Sequence, residues 1–286
     1  MTKTEIPPQS TYLDIIEYFN VKSDKKYNHY MVYSNFGYLA TFFIILLYIR
    51  YIFKYKNYNS LNYINEILYL SIIEIYILLT MLNSMYYHNC GGTFKNDNTM
   101  CKYGFGYELK TASMNDLILA STTLIGILVL LPRKFGDIKI RFFLFILANI
   151  SLIGVLSFRD IPFIYSNIIP FIIGFIVMYY CFKEIRGSNT KIRSLIILFT
   201  IATILSFAGL FCFFKATNNS KSITKLDLNW SDPNDIESKQ KIKEKMNNTD
   251  KYHGSWHILG GLSGLFFILY KIEDIINLHS NYKALI

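Results

Sequence analysis

Seven stretches of this chain stay apolar for about 17 residues or more, the length a helix needs to cross roughly 30 Å of hydrocarbon. They run near 35–55, 63–87, 114–132, 142–158, 161–182, 194–214 and 254–273. Lipid offers no water to unpaired backbone N–H and C=O groups, so only helices and closed barrels persist in it, and these runs do not alternate as barrel strands do. The expected fold is all-α: a polytopic seven-transmembrane-helix bundle over 35–273. With 52% hydrophobic and 17% aromatic residues, a chain of 286 fits a soluble core poorly.

The remaining segments read as connections. Residues 1–34 form an extramembrane N-terminal segment, expected to be a plain tail, with TYLDIIEYFNV at most a short interfacial helix. They lack the basic start, short apolar run and small-residue cleavage site of a secretory signal, so the first span is expected to direct insertion. The polar stretch 215–252 reads as a loop rather than a domain, and 274–286 as a tail. No internal repeat and no Gly-rich phosphate loop is legible.

Short loops set the orientation, because lysine and arginine are retained on the cytoplasmic side. Arg50, Lys54 and Lys56 mark the first loop, Arg133, Lys134, Lys139 and Arg141 the third, and Lys183, Arg186, Lys191 and Arg193 the fifth. The sixth loop mixes its lysines with Asp227, Asp232, Asp235, Glu237 and Glu244, and long loops cross with little regard to charge. It also holds the glycosylation acceptor patterns at Asn218, Asn229 and Asn247, as a lumenal or extracellular loop would. The N-terminus is therefore expected outside and the C-terminus in the cytoplasm. Cys90 and Cys101 then fall on the oxidising side, where a bridge between them is expected and two free thiols are the alternative. Cys181 and Cys212, inside apolar helices, read as packing residues. The net charge of +9 is ordinary for basic inner loops and needs no nucleic-acid partner.

Polar residues at helix ends carry the chemistry. His88 closes the second span, and His253 and His257, four residues apart and so on one helix face, open the seventh. Ser84 stands one turn before His88, and Asp116 starts the third span. The topology read from loop charge puts all five in one membrane layer. Three imidazoles with one open position match a catalytic zinc site, which activates water near neutral pH. Asp116 can orient that water or take its proton, and Ser84 can donate to a developing oxyanion. Each residue alone has a plain explanation: headgroup contacts for the histidines, a backbone bond for Ser84, an N-cap for Asp116. Glu74, mid-span, is expected below this layer, with a partner or a water-filled cavity. Trp256, Tyr86 and Tyr87 read as interfacial anchors.

Ser-x-x-x-His near the end of the second span, an aspartate opening the third and His-x-x-x-His opening the seventh resemble the signature of the CREST superfamily of seven-helix membrane hydrolases. T-M-x-x-S-x-x-Y-H-x-C over Thr80 to Cys90, followed by Cys101 and Asp116, with HGSWH later, is similar to the branch holding myomaker and a GPI-specific phospholipase. The resemblance covers the spanning region. It implies zinc held by His88, His253 and His257, with Ser84 and Asp116 beside it, and hydrolysis of an ester or amide in a membrane lipid, at the plasma membrane or in the secretory pathway. No large extracellular region precedes the first span, unlike the phospholipases of the branch, and the tail INLHSNYKALI lacks cysteines for the palmitoylation expected of a fusion protein. Gly254, directly after the first ligand, is expected to loosen the start of its helix. A non-enzymatic receptor-like or fusion-promoting protein with structural zinc is the alternative. A transporter lacks its paired broken helices here.

Overall fold

The computed structural model describes residues 12–55, 61–92, 109–130 and 192–284, with 141–143, 145–147, 149, 150, 172, 176, 178–183 and 186. Among these, every regular element is helical: α1 (Tyr12–Phe19), α2 (Lys25–Tyr33), a 3-10 turn (Ser34–Phe36), α3 (Gly37–Tyr55), α4 (Leu61–Gly92), α5 (Leu109–Leu130), α6 (Ile192–Ile223) and α7 (Ile236–Ala284). Four stretches are long and apolar enough to cross a membrane, namely Lys25–Tyr51, Ile67–His88, Arg193–Ile223 and Ile236–Asp274. Leu46, Leu47, Ile75, Ile197, Ile204 and Phe211 turn outward from them, a surface suited to hydrocarbon rather than water. The chain is a membrane protein. The expected spans 142–158 and 161–182 lie largely outside the described residues; those described there are helical.

The first and last spans run parallel in a constant register. Asp24 N donates to Asn247 Oδ1 (2.8 Å), the Tyr30 hydroxyl meets Ser255 Oγ (3.2 Å), and Thr41 Oγ1 donates to the Gly261 carbonyl (3.0 Å), at separations of 223, 225 and 220 residues. Two glycines permit the approach. A Cβ added at Gly261 would lie 2.5 Å from the Gly37 carbonyl carbon and 2.6 Å from its oxygen, so the backbones themselves are in contact. Antiparallel to α7 lies α6, joined through Ser206 Oγ and Ser263 Oγ (2.6 Å) and by Ser263 Oγ donating to the Ala202 carbonyl (3.0 Å). Antiparallel to α4 lies α5, through Thr80 and Thr123 (2.8 Å) and Tyr69 donating to the Gly126 carbonyl (3.2 Å). Ile45, Leu70, Ile73, Ile77, Phe199 and Tyr270 fill the space between, with Cys181 among them. Cys181 is buried and Cys212 half-buried, as packing residues should be.

Two sequence expectations change. The stretch 215–252 is not a loop: α6 continues to Ile223 and α7 begins at Ile236, leaving only 224–235 between them. Nor is the N-terminal segment a plain tail, because α1 buries Ile15, Ile16 and Phe19 against Ile223, Leu228, Ile242 and Met246 of that hairpin. The averaged polarity of 215–252 hid these apolar positions among its lysines, and their complement sits some 200 residues earlier. Tyr18 donates to the Trp230 carbonyl (2.6 Å), and Asp24 holds both Lys243 Nζ (2.8 Å) and Asn247 Nδ2 (2.9 Å). Of the three acceptor asparagines, Asn218 lies on α6, Asn229 in the connection, and Asn247 on α7 with its amide bonded to Asp24.

Gly261→Ala should lower stability by about 1–3 kcal/mol, because neither backbone can yield to the new methyl. Gly260→Ala is the control: its Cβ would meet only the Tyr38 hydroxyl, at 3.8 Å. Thermal unfolding in detergent compares them, and equal melting points would remove the claim of backbone contact.

The Lys243 ammonium, then the Asn247 amide, hold the Asp24 carboxyl below its ordinary range. A carboxylate whose folded pKa is depressed stabilises the fold above its unfolded value, about 4, and this is lost as pH falls through the lower folded value. In a Trp256→Phe background, Trp230 fluorescence should therefore report loosening of α1 below about pH 4. Asp24→Asn should flatten that titration.

Candidate metal centre

Each residue of the centre is placed by helix geometry. Ser84 and His88 stand one turn apart on α4, Asp116 lies in the second turn of α5, and His253 and His257 share a face of α7. Antiparallel packing brings the end of α4 beside the start of α5, and α7 crosses both. Of the residues expected in one layer, the three histidines come together and Asp116 stands beside His88. His257 Nε2 lies 3.1 Å from His88 Nε2, and His88 Nε2 lies 3.9 Å from Asp116 Oδ2. One ligand atom from each of His88, His253 and His257 falls within 4.8 Å of the others. Ser84, His88 and His257 are nearly sealed from solvent, at 1%, 4% and 3% exposure.

These residues fit a metal ion. Tetrahedral zinc with bonds of about 2.0–2.1 Å sets neighbouring ligand nitrogens about 3.3 Å apart, close to the His88–His257 separation. Without an ion, those two nitrogens can share a single hydrogen bond, yet Ser84 Oγ, Asp116 Oδ1, His253 Nε2 and His257 Nδ1 stay buried with no hydrogen-bond partner. An unsatisfied buried polar atom costs roughly 1–3 kcal/mol, and four within one centre call for a group that engages them. The donor set of three imidazoles, with a carboxylate and a hydroxyl alongside, is one that zinc accepts with a position left open.

The histidines do not sit at the start of their helix. α7 begins at Ile236, so His253 and His257 are interior, and Gly254 loosens nothing. It is instead a contact point: an added Cβ would lie 2.8 Å from the Tyr30 ring and 3.2 Å from Met31 Cα. Trp256, expected as an interfacial anchor, packs its ring 4.9 Å from Phe213 and 5.0 Å from His257, joining α6 to the centre. The Tyr87 ring lies 4.8 Å from that of His88, tilted by 49°. Glu74 has one carboxylate oxygen buried without a hydrogen-bond partner, 14 residues before His88 on α4. The expected Cys90–Cys101 bridge lies outside the described residues and side chains.

Tyr38 belongs to the centre and was not legible in the sequence. Its ring meets that of His257 edge-on, 6.3 Å between centroids. One tyrosine among 23 offers no pattern, and only the parallel packing of α3 on α7 singles it out. Comparison with known protein families, with characterised proteins and with solved structures returns no match.

His253→Ala and His257→Ala should each reduce bound metal from about one ion per chain to a small fraction, since two imidazoles rarely retain an ion that three hold. Elemental analysis of protein purified in detergent without chelator measures this. Wild-type protein free of metal would remove the centre from consideration.

Proposed function

We propose that the chain is a zinc-dependent intramembrane hydrolase of a lipid ester or amide, as its resemblance to the CREST superfamily implies. The observation that carries this reading is the cluster of three histidines, His88 and His257 buried and His253 partly so, with Asp116 3.9 Å from His88 and the buried Ser84 one turn before His88 on α4. A zinc ion there supplies Lewis acidity at neutral pH. Asp116 accepts a proton from the water that attacks the acyl carbonyl, and Ser84 Oγ–H donates to the oxyanion that develops on it. When the C–O or C–N bond breaks, Asp116 returns the proton to the departing alcohol or amine. The alcohol or amine and the fatty acid then leave into a bilayer that already surrounds the bundle.

The same reading places seven spans with the N-terminus outside and the C-terminus in the cytoplasm, in the plasma membrane or a secretory-pathway membrane. Basic residues in the short first, third and fifth loops support it, as does the acceptor pattern at Asn229 in the connection between α6 and α7.

One contact favours a second reading. Asp116 Oδ2 lies only 3.9 Å from His88 Nε2, near enough to close the sphere as a fourth ligand and make the metal a structural tie in a receptor-like or fusion-promoting protein.

Asp116→Asn and Ser84→Ala separate the two. As a hydrolase, the protein should keep its zinc in both variants while product formation from defined lipid esters and amides falls by a factor of about 100 or more. Zinc lost with Asp116→Asn, together with no product from wild type, would establish the structural tie and end the hydrolase reading.

A further inference from the structure

An imidazole that ligates metal through one nitrogen must deliver the proton on the other to an acceptor, and that acceptor fixes the ring's tautomer and angle. His257 turns Nε2 toward His88 on α4. Its Nδ1 therefore faces away from α4, where it is buried and has no partner.

The parallel register shows what stands at that level. With separations of 220 to 225 residues along the pair, the position level with His257 falls at the 3-10 turn joining α2 to α3. A Cβ added at Gly37 would lie 3.2 Å from Ile258 Cα and 3.4 Å from the His257 carbonyl oxygen, which fixes the level independently. Within the turn, Asn35 is fully buried, at 0% exposure. Its amide nitrogen is committed to the Met31 carbonyl (3.3 Å) and the Val32 carbonyl (3.1 Å). Those two bonds set which end of the side chain is which, and the carbonyl Oδ1 that remains is buried and unpartnered. The turn packs against both α4 and α7, the two helices that carry the histidines. Tyr38, also beside His257, has its hydroxyl 3.8 Å from where a Gly260 Cβ would lie and feels the charge of Asp116.

Resting on the metal reading above, we propose that Asn35 is the positioning residue of His257, its Oδ1 accepting the Nδ1–H through one bridging water. An orphaned donor and an orphaned acceptor at one level, each sealed from bulk solvent, satisfy one another by this route. The amide bonds to Met31 and Val32 prevent Asn35 from flipping to offer a donor instead. Asn35 thereby ties the first span to the geometry of a ligand on the last.

Asn35→Ala and Asn35→Ser test this, because they differ by one oxygen and leave similar space. Zinc affinity at pH 7 is read by competition with a chromophoric chelator, and coordination by the visible absorption of the Co(II)-loaded protein. Asn35→Ala should weaken zinc binding by roughly 10–100-fold and alter the Co(II) bands, whereas Asn35→Ser should stay within about threefold of wild type. Asn35→Ala binding as tightly as wild type, or Asn35→Ser falling as far as Asn35→Ala, overturns the role of Asn35 while the metal centre stands. Wild type without zinc overturns the centre, and this inference with it.

Discussion

Direct backbone contact between Gly37 and Gly261 is the constraint on which the rest of the structure depends. Helices carrying larger residues at a crossing keep their axes 8–10 Å apart, and two glycines allow a closer approach. That approach lets Thr41 bond to the Gly261 carbonyl, locks the register of α2 and α3 on α7, and so decides which residues stand beside His257. Hydrophobic area supplies little of this order, because lipid tails are as apolar as the side chains they replace. Small residues and hydroxyl-to-carbonyl bonds supply it instead, at Thr41, Tyr69, Thr80 and Ser263.

The same packing concentrates polarity. Outside the centre, Thr80 bonds to Thr123 and Ser206 to Ser263 across helices, while Glu74 keeps one buried oxygen without a hydrogen bond. Within the centre such atoms gather: Ser84 Oγ, Asp116 Oδ1, His253 Nε2 and His257 Nδ1 stand beside the one hydrogen bond that His88 and His257 share. Low dielectric surroundings make such an arrangement costly to keep empty and strong once filled. The gathering of such atoms in one layer locates function more firmly than any one of them would alone.

Much of the layer was legible in the sequence because its signals are local. The four-residue spacings of Ser84 with His88 and of His253 with His257 need only helical periodicity, and Asp116 stands out in an apolar run. Hydropathy likewise marks the spans that the structure describes. What escaped depends on partners far away in the chain. Asn35 and Tyr38 look ordinary until α7 is laid beside them, and Ile15, Ile16 and Phe19 have no evident use until the α6–α7 hairpin meets them. The helical extent of that hairpin was missed because its apolar residues are diluted by lysine, so a mean over 215–252 reads as a polar loop. Gly254 was misjudged by propensity, since glycine in a helix weakens it in isolation but admits a neighbouring helix in a bundle.

The parallel alignment of first and last spans also restricts how the chain can be threaded. Two helices that cross a bilayer in the same direction have an odd number of crossings between them. Alignment narrows this further: α5, through Asp116 beside His88 and Ile127 beside Gly264, runs with α7, whereas α6 runs against it. Among the described residues, α3, α5 and α7 thus run one way and α4 and α6 the other, so the histidine layer is supplied by helices of both directions.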